Sequence, residues 1–113
     1  MLVTQTSVIS VPSSIGTILQ LRETNSYQRT LYFQNLSQLT LSAQIEESVD
    51  GGSTWSLVGV AFSIEVGGVV VKNVTSTNIL RVRASGGGDA NDLYVGYTRM
   101  YDDGNNVWTT PVM

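Results

Sequence analysis

The most regular stretch of the chain is 39–46, where Leu39, Leu41, Ala43 and Ile45 alternate with Thr40, Ser42, Gln44 and Glu46. A strict period of two puts the apolar set on one face, as in a strand half buried in a core, and predicts a strand over 38–48. Val49-Asp50-Gly51-Gly52-Ser53 interrupts it, and Trp55–Val60 resumes an apolar course, which predicts a hairpin. Thr30–Leu36 precedes this strand, and Ala61–Val66 follows or continues the hairpin's second arm. Gly67-Gly68 turns the chain into Val69–Thr75, whose Val69-Val70-Val71 run predicts burial on both faces. Asn78–Ser85 directs Leu80, Val82 and Ala84 inward and Arg81 and Arg83 outward. Three consecutive glycines make Gly86–Asn91 a flexible loop, after which Asp92–Tyr101 alternates with Leu93, Val95 and Tyr97 on one face. Short strands with turn signals every 8–12 residues predict a sandwich, jelly roll or small barrel.

The two ends differ from the middle. Residues 1–21 and 104–113 contain no charged side chain, yet they carry Val3, Val8, Val11, Ile18, Leu19, Leu21, Val107 and Trp108. Such segments must bury their apolar groups in their own domain or on a neighbour. Pairing within the domain is expected for residues 15–21. The expected organisation is an N-terminal arm or edge strand over 1–14, a β-sandwich domain over 15–103 and a C-terminal arm over 104–113. Val8, Val11 and Trp108 are the candidate interface residues of these ends.

Composition strengthens the β reading. β-branched and aromatic residues fill 42 of the 113 positions, whereas alanine, the best helix former, occurs four times. Charged residues are 13%, about half the usual share, and Lys72 is the only lysine in a chain of net charge −3. Free-standing β domains guard their surfaces with lysine, so its scarcity points to a surface occupied by other subunits, or else to a surface that is polar without charge. Five arginines and one lysine do not make a nucleic-acid track, and no apolar run approaches the roughly 20 residues of a membrane span. The first residues lack a basic segment and a continuous apolar run, so no secretory signal is expected. With neither cysteine nor histidine, disulfides, thiolate nucleophiles, Ser–His catalysis and Cys- or His-ligated metals are excluded. No cofactor and no enzymatic activity are expected.

Ser48-Val49-Asp50-Gly51-Gly52-Ser53-Thr54-Trp55 fits the Asp-box pattern Ser-x-Asp-x-Gly-x-Thr-Trp. Its chemistry is structural: Asp50 accepts turn amides, Gly51 and Gly52 permit positive φ, and Trp55 packs beneath the hairpin. An inward Trp55 predicts a loss of about 3–5 kcal/mol on truncation to alanine. Asp89, Asn91 and Asp92 in one loop, and Asp102, Asp103 and Asn105 in another, offer hard oxygen ligands. They match no calcium-loop spacing, however, and are ordinary turn residues, so no metal is expected. Glu46 and Glu47 point to opposite faces and cannot act as a catalytic pair. Arg81 and Arg83 share a face, either balanced across strands by Glu46 or Glu23 or serving as candidate interface residues in an intersubunit ion pair.

TLYFQN at 30–35, AQIEESVDGGSTW at 43–55, GGVVVKNV at 67–74 and LRVRAS at 80–85 stand in an order that resembles the small β-sandwich or jelly-roll structural proteins of tailed bacteriophages. The resemblance covers residues 28–100, about two thirds of the chain. It implies an all-β fold, a single antiparallel β-sandwich of jelly-roll type with extended N- and C-terminal segments. It implies a non-enzymatic virion structural protein, foremost a capsid decoration or cement protein, docked on the major capsid protein or other virion proteins by apolar arms and edge strands. The expected state is a homo-oligomer, a trimer by that resemblance, located in the virion after assembly in the host cytoplasm. The alternatives are a tail or baseplate component and a carbohydrate-binding sandwich, in which Tyr94, Tyr97, Tyr101 and Trp108 would supply stacking rings, with Tyr94 facing opposite to Tyr97 and Tyr101, so that no flat three-ring platform follows.

Overall fold

The structure is a computed structural model and describes residues 2–22, 26–75, 78–88 and 91–101. Its strands are β1 Leu2–Ile9, β2 Gly16–Leu21, β3 Ser26–Asn35, β4 Leu41–Ser48, β5 Ser56–Leu57, β6 Phe62–Ile64, β7 Val69–Val74, β8 Ile79–Ser85 and β9 Leu93–Tyr101. They form two antiparallel sheets. One runs β1-β9-β3-β7; the other runs β2-β8-β4-β5, with β6 also pairing β4. The chain therefore changes sheet at almost every connection, the interleaved order of a jelly roll, and the sandwich fold expected from the alternation is the one formed.

Inward residues of both sheets make one core. Leu31, Phe33, Leu93, Val95 and Tyr97 meet Leu19, Leu41, Ile45, Leu80 and Val82, all buried. The phases read from Leu41, Ala43 and Ile45, from Leu80, Val82 and Ala84, and from Leu93, Val95 and Tyr97 are those of the structure. Two expectations change. Leu39 is 49% exposed, because residues 36–40 bend around Asn35 and the alternation begins only at Leu41. Val69-Val70-Val71 is not buried on both faces: among the described residues β7 pairs only β3, and Val69 and Val71 point to solvent at 49% and 51% exposure. Of the two alternatives for residues 1–14, arm or edge strand, residues 2–9 take the second: β1 pairs β9 over eight successive positions from Leu2↔Met100 to Ile9↔Leu93. The expected C-terminal arm, 104–113, lies outside the described residues.

Crossing between sheets strands backbone groups, and a buried, unpaired amide or carbonyl costs as much as a lost hydrogen bond. Two side chains meet this cost. The Asn35 amide donates to the carbonyls of Leu39 (2.7 Å) and Ile64 (2.9 Å), while its oxygen accepts from the Ser37 amide (2.8 Å) and hydroxyl (2.7 Å). Buried Asp92 accepts the Val11 amide at 3.0 Å, and its own carbonyl accepts the Leu36 amide. Gly86 and Gly87 donate to Ser13 and Pro12, so the start of the glycine loop is tied down. Gly87 is obligatory there: a β-carbon would lie 2.1 Å from the Val11 carbonyl oxygen and 2.7 Å from the Asp92 carboxylate.

Asn35→Ala is expected to cost about 3 kcal/mol in chemical denaturation, because it removes four hydrogen bonds at a buried corner, though the Leu39 carbonyl keeps the Ser37 hydroxyl. Gly87→Ala is expected to destabilise by about 1–3 kcal/mol, as overpacking against a backbone does. Wild-type stability in Asn35→Ala would show that water replaces these bonds freely.

Candidate functional site

The Asp-box hairpin joins β4 to β5. Gly51 and Gly52 both take positive φ, 76° and 101°. The Ser48 hydroxyl donates to Asp50 Oδ1 (2.7 Å) and accepts the Gly52 amide (2.8 Å). Asp50 Oδ1 also accepts the amides of Ser53 (3.1 Å) and Thr54 (2.9 Å), and Oδ2 accepts the Thr54 hydroxyl (2.5 Å). The hydroxyls of Thr54 and Ser48, followed by those amides, hold the Asp50 carboxyl well below its ordinary 3.8.

Trp55 departs from expectation. Its ring is half buried on the outside of the sandwich, not inserted in the core. Its Nε1 donates to the Gly52 carbonyl at 3.1 Å, and the Arg81 guanidinium lies 4.2 Å from its centroid. Arg81 in turn binds Glu46, its cross-strand partner, at 2.5 Å. The three groups stack on the outer face of the β2-β8-β4-β5 sheet and leave Glu46 only 7% exposed. Burial alone would raise the Glu46 carboxyl. The bonds from Arg81 and Gln44 and the charges of Arg81 and Arg83 outweigh it, and the net shift is downward from 4.5. Arg81 is thus balanced within the chain; Arg83, opposite Gln44, is half exposed.

Among the other interface candidates, Val11 is 3% exposed and belongs to the core, so its side chain offers nothing to a neighbour. Val8 is exposed on β1, and Trp108 lies outside the described residues. Tyr94 and Tyr97 face opposite ways, as their parity requires. Tyr97 is buried in the core, whereas Tyr94 faces outward and meets Tyr32, their centroids 5.9 Å apart at 85°. Tyr32 was not singled out by the sequence, because only the β3–β9 register, with Tyr32 opposite Gly96 and Gln34 opposite Tyr94, brings the rings together. Around them is a depression of about 430 Å³ on the outer face of the β1-β9-β3-β7 sheet. Among the described residues no group of three acidic side chains is placed to hold a metal ion.

The exposed feature of the same sheet is its β7 edge. Val66, Val69 and Val71 are half exposed, and Val60, beside Asn73, is 75% exposed. β7 has no proline and no bulge, and its single charge, Lys72, turns inward to place its amine 4.6 Å from the Phe62 centroid.

Trp55→Ala is expected to cost about 1–2 kcal/mol, the worth of a partly exposed cation–π contact and one hydrogen bond rather than of a core aromatic. Both depressed carboxyls contribute stability that is present above their unfolded values and lost as pH falls through the folded ones. Denaturation midpoints should therefore drop as pH falls below 4.5 and further below 3.8, with Glu46→Gln flattening the first part and Asp50→Asn the second.

No protein-family model matches this chain, and no curated protein sequence does. Its likeness is to solved structures. A chain from Bacillus endospore appendages, described as a novel family of disulfide-linked pili, superposes with a TM-score of 0.58 at 11% identity, covering 89% of each chain. The crystal structure of PirA superposes with a TM-score of 0.54 at 8% identity, over 88% of this chain and 93% of that one. These neighbours are β-rich and share the sandwich fold; none of them identifies a phage-specific family. At such identities the likeness is one of fold.

Proposed function

We propose that this chain is a non-enzymatic structural subunit that assembles through the edges of its β1-β9-β3-β7 sheet, in the specific form of a capsid decoration protein of a tailed phage. The carrying observation is the β7 edge, a row of solvent-facing valines whose only lysine is turned away from it. An unguarded edge is a template for pairing with another chain. The opposite edge, β1, likewise has no charged residue over Leu2–Ile9. β1 and β7 run in opposite directions, since three antiparallel pairings separate them. A copy set beside another in the same orientation therefore meets it in antiparallel pairing, and such head-to-tail contacts close into rings or run on as fibres. The phage resemblance favours a ring of three on a shell of major capsid protein.

The pilus neighbour supports the same class of role, that of a repeated structural unit. Unlike a disulfide-linked fibre, this chain has no cysteine, so its contacts must be non-covalent and numerous. It also lacks the histidine and cysteine on which most hydrolytic chemistry rests.

The test is Val69→Lys with Val71→Lys, both solvent-facing and harmless to the core. Sedimentation should show an oligomer for the wild type and a folded monomer for the variant, which should also fail to join particles. A wild-type chain that stays monomeric at high concentration, or a variant that still decorates normally, would sink the proposal.

A further inference from the structure

The depression on the outer face of the same sheet is lined from β1, β9 and β3, so it reaches the β1 edge but takes no residue from β7, and its lining has a consistent chemistry. Tyr32 and Tyr94 form one side, Gly96 the floor, and Thr6 on β1 the opposite rim. Thr30, Thr98 and Gln34 complete it with hydroxyls and a carboxamide. No lining residue is charged. The register explains the shape: Gly96 sits between Thr6 on one side and Tyr32 on the other, so the sheet has no side chain at the middle of that row. A β-carbon on Gly96 would meet Tyr32 at 3.5 Å and Thr6 at 3.9 Å, ordinary contacts, so the space is open without being required by backbone strain.

We infer that this depression binds one or two rings of a neutral saccharide. A sugar ring presents a C–H face and a rim of hydroxyls, and it needs an aromatic surface beside uncharged donors and acceptors. Tyr32 and Tyr94 give a ring face and a ring edge at 85°, each with a phenolic hydroxyl, and Gln34 and Thr6 add both donors and acceptors. The volume, about 430 Å³, falls in the lower part of the range for small-ligand sites. A nucleotide fits poorly: perpendicular rings leave no slot for a flat base, and no cation lines the site for a phosphate. An acidic sugar lacks a counter-charge for the same reason. A peptide strand would seek the sheet edges, where backbone groups are unpaired, and not the centre of a sheet whose ladder is complete. One shallow site gives roughly millimolar affinity, which repetition on an assembly would raise by avidity.

The experiment uses the whole chain on an array of neutral and sialylated oligosaccharides, followed by NMR titration with the strongest ligand. Neutral hexose or N-acetylhexosamine glycans should bind and sialylated ones should not. Tyr94→Ala and Gly96→Thr should each weaken binding by about tenfold or more, the second by filling the floor. Gln34→Ala, on the outer face of β3 and outside the hydrophobic core, should weaken it as well and guards against misfolding of the others. Val66→Lys, exposed beside the β7 edge and opposite no lining residue, should leave it unchanged, which separates this site from assembly. Absence of neutral-glycan binding at millimolar concentration, preference for acidic glycans, or binding indifferent to all three site variants would overturn the inference.

Discussion

Each crossing between the two sheets removes backbone groups from a ladder, and the sandwich depends on side chains that take the place of the missing partners. Asn35 is the clearest case. Its amide serves the ends of three segments, the exit of β3, the bend before β4 and the end of β6, and all four of its bonds lie within 2.7–2.9 Å. Asp92 does the same for the crossing from β1 to β2, clasping Val11 from the start of β9. Without these clasps the two sheets would still be hydrophobic on one face, but several buried backbone groups at the corners would face no partner. The energetic consequence is lopsided: a made bond yields little net stability, whereas a broken one in a dry corner costs its full desolvation.

Alternation made the inward faces of β4, β8 and β9 legible, because those strands lie between two neighbours and one face of each must be dry. The same rule misled at β7. Three successive valines read as a strand buried on both sides, yet the run sits at an edge and covers the core with one face only. Hydropathy reports how apolar a residue is and not which sheet position it occupies. Leu39 was misplaced for a different reason: the Asn35 bend shifts the start of β4, and a polar clasp leaves no periodic trace. Trp55 was correctly tied to its turn but not to its surroundings, since the Arg81 and Glu46 stack arises from strand pairing between distant segments. The Tyr32–Tyr94 pair was hidden likewise: that Tyr94 and Tyr97 oppose each other is a matter of parity, whereas Tyr32 joins Tyr94 only through the β3–β9 register.

The few charges are arranged with unequal effect on the two sheets. On the β2-β8-β4-β5 side, Arg81 and Glu46 neutralise each other, and Arg81 stacks on Trp55 on the outer face. On the β1-β9-β3-β7 side, the outward positions of the central rows are Thr6, Gly96, Tyr32 and Val71, then Val8, Tyr94, Gln34 and Val69, with no charge among them. Lys72, the one residue placed to guard that sheet's edge, instead closes the mouth of the sandwich over Phe62. A solitary soluble domain would be poorly served by this arrangement, because neutral faces and bare edges favour association.

A face without charge and an edge without guard answer different needs, although the depression reaches β1 and its Tyr32 and Gln34 stand opposite Val71 and Val69. Pairing through β1 and β7 extends the sheet sideways and engages main-chain groups, leaving the outer face of each copy uncovered. The depression lies over β1, β9 and β3, and every copy added at an edge would present one more of them in the same orientation. Repetition in the proposed assembly would convert a shallow, low-affinity site into a multivalent surface, whose affinity would depend on spacing as much as on any single contact. The constraint runs in one direction only. Assembly needs nothing from the depression, but a site this open gains useful strength only if the edges hold many copies together.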